Sequence, residues 1–357
     1  MKPLPPGSVI GILGGGQLGR MLASAAARLG FDVHIFAPED SPPAARVAAM
    51  HWQAAYDDES ALREFADACD VITYEFENIP VQSVDFLVSI GAVVRPGAAS
   101  LEKSQDRLAE KQFLNAIGIE TGAFAEVSSV SDLEQALKTL GRAGILKTRR
   151  DGYDGKGQVR LKSGDDLAAA YADIDEVPAI LEAYVPFERE ISVVIARGAD
   201  GSMAAFDPSM NDHAGGILRT SIAPCGLSDD IIARARTMAE ALARETGHIG
   251  VLALELFVLE DGTLLANEFA PRVHNSGHWT PEACLTGQFE QHIRAVAGWP
   301  LGPVTRVFDA EMHNLLGEEA LAPADSYDKD AVLTLYGKRD AKPGRKMGHV
   351  VARTGRA

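Results

Sequence analysis

The sequence predicts a protein of mixed α/β and α+β class, in which a parallel-sheet unit precedes a small and a larger α+β unit. Its 357 residues are more than one ordinary domain contains. In residues 1–118, apolar runs alternate with helix-like stretches, which is typical of a parallel sheet with crossover helices. Residues 119–185 carry a hairpin between helix-like stretches. Strand-like runs then dominate residues 186–357, so we expect a large unit with a short β-rich end.

Composition and charge indicate a globular protein that binds small anionic ligands. Apolar residues make up 46% of the chain, charged residues 24%, and the formal net charge is −16. Such an acidic chain is expected to bind neither nucleic acid nor an anionic membrane. The three cysteines are far apart, which predicts no disulfide framework and no cysteine metal site. Since no signal peptide or long apolar span is seen, we expect a cytoplasmic protein.

The first unit is predicted to contain strands alternating with helices. We expect strands at 8–13, 32–37, 71–76 and 92–95, and helices at 17–29, 59–68 and 81–90. A long polar helix containing Lys103, Arg107 and Lys111 should follow.

A glycine-rich turn follows the first predicted strand. Gly14, Gly16 and Gly19 fit the pattern G-x-G-x-x-G and precede a helix, and Glu39 or Asp40 lies about 20 residues further on. This is the full dinucleotide fingerprint of a Rossmann-like domain, so an NAD-linked oxidoreductase is a serious alternative. The same turn, however, suits any anion at a helix N-terminus.

The second unit is organised around a basic hairpin at residues 145–161. An apolar strand ends at Lys147, and a loop with Gly152, Gly155 and Gly157 leads into a second strand at 158–162. Glycines allow close approach of the backbone to a ligand, and the preceding lysine is placed to reach phosphate oxygens. The alternative is a glycine-rich hairpin with solvated charges. Helices are predicted at 133–140 and 166–172, and a strand at 179–185.

The third unit contains a hairpin with two carboxylates in otherwise apolar strands. Strands at 251–259 and 263–269 meet at the Asp261-Gly262 turn and carry Glu255 and Glu268. Because buried carboxylates need a cation, the pair and the neighbouring Asn267 predict a magnesium site completed by nucleotide phosphates. Outward-facing glutamates on a half-exposed sheet are the alternative. Further strands are predicted at 191–196, 203–207 and 216–223, and helices at 229–246 and around 282–297.

Two acidic residues before this hairpin suit a nucleoside. Glu182 lies in an apolar strand from which it could accept a hydrogen bond from the adenine amine, and Glu190 could accept from ribose hydroxyls. Each is also compatible with an ordinary acid on an edge strand.

The order of these features resembles the ATP-grasp superfamily, in which ATP lies between two α+β subdomains. Within it, six segments spanning residues 11–349 closely resemble the N5-carboxyaminoimidazole ribonucleotide synthetase family of purine biosynthesis: GILGGGQLGRM, YEFENIP, RRDGYDGKGQ, GILRTS, NEFAPRVHNSGHWT and PGRKMGH. NEFAPRVHNSGHW discriminates most, because ATP-grasp proteins in general share only its N-E part.

The resemblance implies a role for each of the following residues. ATP phosphates would be bound by Arg107 and Lys147 and covered by the loop of Gly152, Tyr153, Asp154, Gly155, Lys156, Gly157 and Gln158. The nucleoside would contact Glu182, Ala183, Tyr184, Val185, Glu190 and His213, and two Mg²⁺ ions would bind Glu255 and Glu268 beside Asn267. The ribonucleotide would face Gly15, Gly16, Gln17, Leu18, Glu75, Asn78, Tyr153, Lys156, Arg272, His274, Arg345 and Lys346. The catalytic group would comprise Asp154, Tyr153, Lys346, Arg272 and His274.

The implied activity is ATP-dependent carboxylation of 5-aminoimidazole ribonucleotide with bicarbonate, through carboxyphosphate, in a homodimer. Asp154 is the best candidate to take the amine proton because it lies on the closing loop. Lys156 stands where many relatives have arginine, which keeps the charge but loses bidentate geometry.

Three alternatives remain at this stage. A formate-dependent ATP-grasp transformylase shares the hairpin, but the HNSGHW and PGRKMGH segments speak against it. An NAD-linked oxidoreductase leaves Lys147 and the Glu255/Glu268 pair unexplained. A non-catalytic nucleotide-sensing module would show no turnover.

Overall fold

The computed structural model describes residues 2–141, 143–152, 157–321 and 330–356. Its strands are β1 (Val9–Leu13), β2 (Asp32–Phe36), β3 (Met50–Trp52), β4 (Val71–Tyr74), β5 (Phe124–Val127), β6 (Gly144–Thr148), β7 (Gln158–Leu161), β8 (Ala179–Ala183), β9 (Arg189–Arg197), β10 (Met203–Ala205), β11 (Ser209–Ala214), β12 (Ile217–Ala223), β13 (Gly250–Val258), β14 (Leu264–Ala270), β15 (Phe308–Leu316), β16 (Ala331–Leu335) and β17 (Lys346–Arg356).

The α-helices in the described residues are α1 (Gln17–Arg28), α2 (Glu59–Asp67), α3 (Val81–Ser89), α4 (Ala98–Ser104), α5 (Arg107–Ala116), α6 (Val130–Leu140), α7 (Leu167–Ala172), α8 (Asp229–Glu245), α9 (Thr280–Ala283) and α10 (Gln288–Val296). Short 3-10 turns lie at Ala45–Val47, Asn275–Gly277 and Gly317–Leu321. In this part of the chain, no helix combines the length and apolarity needed to cross a bilayer.

The first sheet is parallel, with strand order β3-β2-β1-β4, as the alternating pattern predicts. β1 and β4 are almost entirely buried because helices cover both faces. β3 is a short addition beside β2 that the sequence pattern does not reveal. The strand predicted at 92–95 is wrong: only a single bridge joins Val94 to Ile72.

The long polar helix expected before residue 118 is in fact two helices, α4 and α5. Asp106 separates them because its carboxylate accepts hydrogen bonds from the amides of Leu108 and Ala109, at 3.0 and 3.3 Å. Such an N-cap starts a new helix. The helix expected around 282–297 is likewise divided into α9 and α10, with Gly287 packed against Pro281 at the break.

The second and third sheets carry the α+β part of the fold. The four strands β5-β8-β6-β7 form an antiparallel sheet with α6 and α7 on one face, which we call the lid sheet. The large sheet has the order β14-β13-β9-β11-β12-β15-β17-β16, with β10 beside β9. The predicted β-rich end therefore belongs to the large sheet. β11 escapes prediction because its sequence, SMNDHA, lacks apolar alternation.

Helix α10 joins the first sheet to the large sheet in one core. Its apolar side chains, including Phe289 and Ile293, pack in the same cluster as Ile10 of β1 and Val251 of β13. His292 adds a polar link, since its Nδ1 accepts from the amide of Val251 at 3.1 Å and its Nε2 lies 2.8 Å from the hydroxyl of Thr73. The predicted unit boundaries at residues 118 and 185 stay predictions.

The glycine turn after β1 is filled by a carboxylate of the protein itself. Glu75, directly after β4, accepts hydrogen bonds from the amides of Gly16 and, at 2.7 Å, Gly19. These amides would face the pyrophosphate in a dinucleotide-binding domain. Because Glu75 already occupies them, the geometry speaks against the NAD alternative.

Gly14→Ala should destabilise the protein far more than Gly91→Ala. Both glycines have positive φ, +111° and +92°, so either alanine is strained by about 1–2 kcal/mol. Only at Gly14 does the added Cβ collide with another group, Cγ of Glu75, whereas nothing lies within 4 Å at Gly91. Overpacking should add roughly 1–3 kcal/mol. Urea unfolding of the two variants measures the difference in the free energy of unfolding. Equal losses of that free energy in both variants would mean that the side chain of Glu75 moves away at no cost.

Candidate active site

A cleft between the first unit, the lid sheet and the large sheet collects charged side chains from all three. The described residues lining it are Glu77, Asn78, Ser104, Gln105, Arg107, Glu110, Arg149, Arg150, Asp151, Gly152, Glu255, Glu268, Phe269, Ala270, Arg272 and His274. Residues from such distant parts of the sequence meet because α5 packs on β14.

Arg107 and Glu268 form the central ion pair of this cleft. Arg107 begins α5, and its guanidinium donates to Glu268 of β14 at 2.7 Å and to the carbonyl of Gly152 at 3.1 Å. Burial opposes ionisation of Glu268, but the charge of Arg107 outweighs it and holds the pKa of Glu268 well below its ordinary value. Both groups are therefore charged at neutral pH.

A second ion pair lies on the lid sheet. Lys147, the penultimate residue of β6, donates from Nζ to Oε2 of Glu182 on β8 at 2.8 Å. Lys111 of α5 lies 3.3 Å from Oε1 of the same carboxylate. Burial opposes ionisation of Glu182, yet these two lysines outweigh it and lower its pKa. Glu182 thus stays ionised although the residue is only 8% exposed.

The carboxylates Glu255 and Glu268 meet across the β13–β14 hairpin at a β-bulge. Leu254 pairs with Phe269 and Leu256 with Ala266, so Glu255 opposes two residues of β14, Glu268 among them. Nε2 of His274 lies 3.1 Å from Oε1 of Glu255. Burial, followed by the negative charge of Glu268, raises the pKa of Glu255 to about 7. The negative charges of the two acids therefore oppose each other.

The donor chemistry at this hairpin fits magnesium. Glu255, Glu268 and the adjacent Asn267 offer hard oxygen ligands, which Mg²⁺ prefers, and Mg²⁺ commonly binds one or two carboxylates together with substrate phosphates. A bound cation would relieve the repulsion between the two carboxylates, which contributes to the raised pKa of Glu255. Within the described ranges, no group of three or more His, Cys, Asp or Glu side chains is placed to hold a metal. Phosphates of a nucleotide would offer further oxygen ligands.

The residues assigned to the nucleoside lie on or directly after β8, on β9 and on β11, and none of them is among the residues that line this cleft. Ala183 ends β8, Tyr184 is 67% exposed, and Val185 packs beside Gly122. Glu190 of β9 faces His213 of β11, with 2.5 Å between Oε2 and Nδ1. Burial opposes protonation of His213, but the hydrogen bond to Glu190 outweighs it and raises the pKa of the imidazole.

The glycine loop is described only at its two ends. Gly152 contacts Arg107, Gly157 adopts φ +65°, and Gln158 pairs with Lys147 in the hairpin register. The predicted site residues Tyr153, Asp154, Gly155 and Lys156 lie outside the described residues.

Of the described residues assigned to the ribonucleotide, Asn78, Arg272 and His274 line the cleft, whereas the others lie outside its lining. Arg272 is bound by Glu77, with 2.8 Å between Nη2 and Oε1. Glu75 fills the turn of Gly15, Gly16, Gln17 and Leu18, and Asn78 lines the cleft. Burial, followed by the charges of Arg272 and Lys346, lowers the pKa of His274 to about 3. Lys346 is therefore close to this imidazole, whereas the guanidinium of Arg345 donates to the carbonyl of Asp340 at 3.2 Å.

The sequence analysis gave no role in the site to three charged residues in or beside the cleft: Glu77, Glu110 and Lys111. Glu77 was overlooked although it belongs to the YEFENIP segment, where only Glu75 and Asn78 were assigned. Glu110 accepts from the amide of Phe269 at 2.6 Å, and Lys111 donates to the carbonyl of Asn267 at 3.1 Å. The polar face of α5 was the available signal for both.

Glu255→Gln should stabilise the nucleotide-free, metal-free protein above neutral pH. The pKa of Glu255 is raised from 4.5 to about 7 in the folded protein, so ionisation of this carboxyl is less favourable there than in the unfolded chain. The wild-type protein therefore loses stability as the pH rises through that interval. The free energy of unfolding of the variant should equal that of the wild type near pH 4.5 and exceed it by roughly 3 kcal/mol above pH 7. The glutamine oxygen still accepts from His274. Urea unfolding in EDTA at several pH values tests this, with Glu260→Gln, on the exposed turn of the same hairpin, as control. A pH-independent difference would contradict it.

Three family models match successive parts of the chain. A ribonucleotide synthetase preATP-grasp domain matches residues 8–105, and an ATP-grasp domain matches residues 112–289. A phosphoribosylaminoimidazole carboxylase C-terminal domain matches residues 310–355.

Relatives of known name cover nearly the whole chain. N5-carboxyaminoimidazole ribonucleotide synthase of Brucella melitensis biotype 1 is 57% identical over 350 residues, which are 97% of this chain and 96% of that protein. The crystal structure of the Staphylococcus aureus N5-carboxyaminoimidazole synthetase with ADP has a TM-score of 0.94 at 36% identity, covering 99% and 95% of the two chains. The Aspergillus clavatus N5-carboxyaminoimidazole synthase with ADP and 5-aminoimidazole ribonucleotide has a TM-score of 0.92 at 29% identity, covering 98% and 94%. The chain belongs to the N5-carboxyaminoimidazole ribonucleotide synthase family of ATP-grasp ligases.

Proposed function

We propose that this chain carboxylates 5-aminoimidazole ribonucleotide with bicarbonate at the expense of ATP, giving N5-carboxyaminoimidazole ribonucleotide, ADP and phosphate. The observation that carries this proposal is the placement of Arg107 and Lys147. Their side chains come from two different units, each is bound by a carboxylate, and the charges of both act on Glu182 and on Glu268. Cations held in this way are ready to exchange the carboxylates for ATP phosphates.

The reaction has two balanced steps. A bicarbonate oxygen attacks the γ-phosphorus of ATP and the bond to ADP breaks, which yields carboxyphosphate. The exocyclic amine of the ribonucleotide then bonds to the carboxyl carbon, either of carboxyphosphate or of the carbon dioxide released from it, and phosphate leaves. The amine proton passes to a base, for which Asp154 remains our candidate. Arg107 and Lys147 would neutralise charge on the transferred phosphoryl group.

The nucleoside would be recognised by two acidic residues, Glu182 on β8 of the lid sheet and Glu190 on β9 of the large sheet. Oε1 of Glu182 is buried and lies 3.3 Å from Nζ of Lys111, but among the described residues it receives no hydrogen bond, so it can accept one from the adenine amine. The backbone of Ala183, Tyr184 and Val185 would continue this contact, and Glu190 would accept from the ribose hydroxyls beside His213.

Glu255 and Glu268, with Asn267, would hold Mg²⁺ together with ATP. When bound, the metal supplies Lewis-acid charge that favours phosphoryl transfer. The chain's own contribution is to fix the two carboxylates by the hairpin register and by the contact from His274.

The ribonucleotide would occupy the opposite end of the cleft. Arg272, His274 and Lys346 would bind it and position its amine. Arg345, the turn from Gly15 to Leu18, Glu75 and Asn78 would line the same end. The loop between Gly152 and Gln158, with Tyr153 and Lys156, would close over both substrates and keep water from carboxyphosphate.

We also propose that the chain forms a homodimer in the cytoplasm. Its cysteines are free, which suits a reducing compartment. Leu285, Leu333 and Leu335 are exposed by 60%, 37% and 47% around a groove beside β16, which is the last strand of the large sheet. Such a face suits a second copy. A monomeric mass in sedimentation equilibrium would refute this assembly.

The test of the activity is ADP release with Mg²⁺, ATP and 5-aminoimidazole ribonucleotide. Release should require bicarbonate, and replacing bicarbonate by formate should abolish it. Formate-supported turnover would instead indicate a transformylase, and failure of both would reject a ligase. NADH should leave the melting temperature unchanged, whereas MgADP should raise it.

Lys147→Met should raise KM for ATP and slow turnover while the fold is retained. Removal of one charge-assisted phosphate contact costs roughly 1.5–3 kcal/mol, or about 10- to 100-fold. Glu182 keeps Lys111 as a cation in the variant, so the unfolding midpoint should change little. The matched control is Lys138→Met, whose exposed ammonium pairs only within α6 among the described contacts. If both variants have wild-type kinetics, Lys147 does not contact phosphate.

A further inference from the structure

Lys111 is a buried cation with partners on two different sheets. Its side chain is 4% exposed, and its Nζ lies 3.3 Å from Oε1 of Glu182 on the lid sheet. The same Nζ donates to the carbonyl of Asn267 on the large sheet at 3.1 Å. A single ammonium group on α5 thus contacts both the strand assigned to the nucleoside and the strand assigned to the metal.

The two lysines on Glu182 are not equivalent. Lys147 stands at the entrance of the glycine loop, and its side chain is 13% exposed, compared with 4% for Lys111. When ATP binds, Lys147 is expected to turn to the phosphates. A buried carboxylate without a cation is costly, so Glu182 then depends on the lysine that stays.

Helix α5 also fixes the backbone on both sides of Glu268. Lys111 holds the carbonyl of Asn267, and Glu110 accepts from the amide of Phe269 at 2.6 Å. Glu268 lies between these two residues, so its backbone is held by consecutive side chains of one helix. The spacing between the nucleoside strand and the metal strand is therefore set by α5.

We propose that Lys111 is a positioning residue for the nucleotide. Its ammonium group is the permanent counter-charge of Glu182, which keeps that carboxylate ionised as an acceptor for the adenine amine after Lys147 has moved to the phosphates. Its bond to Asn267 fixes this acceptor relative to Glu268. The inference rests on the proposed function only in requiring that the cleft binds an adenine nucleotide.

The test compares Lys111→Gln, Glu182→Gln and the double variant by titration calorimetry with MgADP and MgIDP. Glutamine at 111 removes the charge and keeps a donor for Asn267. Each single variant should bind MgADP about 10- to 100-fold more weakly. The preference for MgADP over MgIDP should fall in both, because hypoxanthine has a keto oxygen where adenine has its amine. The double variant should bind no more weakly than the worse single variant.

Three results would overturn the inference. They are wild-type MgADP affinity of Lys111→Gln, an unchanged preference for MgADP over MgIDP, and losses that multiply in the double variant. A purely structural lysine would weaken both nucleotides equally. Lys138→Gln, on the exposed face of α6, is the control and should bind like the wild type.

If Lys111→Gln fails to fold, the proposal is tested by comparing the folding of the single and double variants. The double variant has no buried carboxylate at position 182 that has lost one of its two lysines, so it should fold where the single variant does not. If Glu182→Gln folds and the double variant does not, Lys111 has another role and the inference is wrong. A wild-type chain that binds MgADP without carboxylation would refute the proposed reaction and leave this inference standing.

Discussion

Charge compensation across unit boundaries is the constraint on which the arrangement of this cleft depends. A buried carboxylate needs a cation close by, and in this protein the cation usually comes from another unit. The pairs are Arg107 with Glu268, Lys111 with Glu182, and Arg272 with Glu77. Movement of one unit away from another would leave charges unpaired, so these pairs align three separately built sheets.

The same pairs suit the anionic substrate of the proposed function. Arg107 and Lys147 are held in place by carboxylates, which would lower the entropic cost of ordering them on a phosphate. In that proposal, Glu268 would become available to Mg²⁺ when Arg107 turned to a phosphate. Binding of nucleotide and binding of metal would then be linked through one exchange of partners at the α5–β14 contact.

Local sequence patterns predicted the class of fold. The features that they did not predict depend on contacts between residues that are far apart in the sequence. Alternating strands and helices revealed the parallel sheet, and the charged hairpin revealed where Glu255 and Glu268 face each other. The glycine turn was ambiguous because its partner, Glu75, lies 59 residues away from Gly16. The break at Asp106 was missed because the helical pattern continues through the cap. Lys111 was read as part of a polar face, since no local feature shows that α5 is buried between two sheets.

The core around α10 has a consequence for how this protein can move and how it can be divided. Because α10 packs on both the first sheet and the large sheet, these two behave as one body, and the hydrogen bond from His292 to Thr73 ties them further. The lid sheet has a separate apolar cluster around Leu133 and Leu181. We therefore expect the lid sheet to move relative to the other two sheets, which share one core. A fragment ending at residue 118 would expose the apolar surface that α10 covers, and would aggregate rather than fold as a domain.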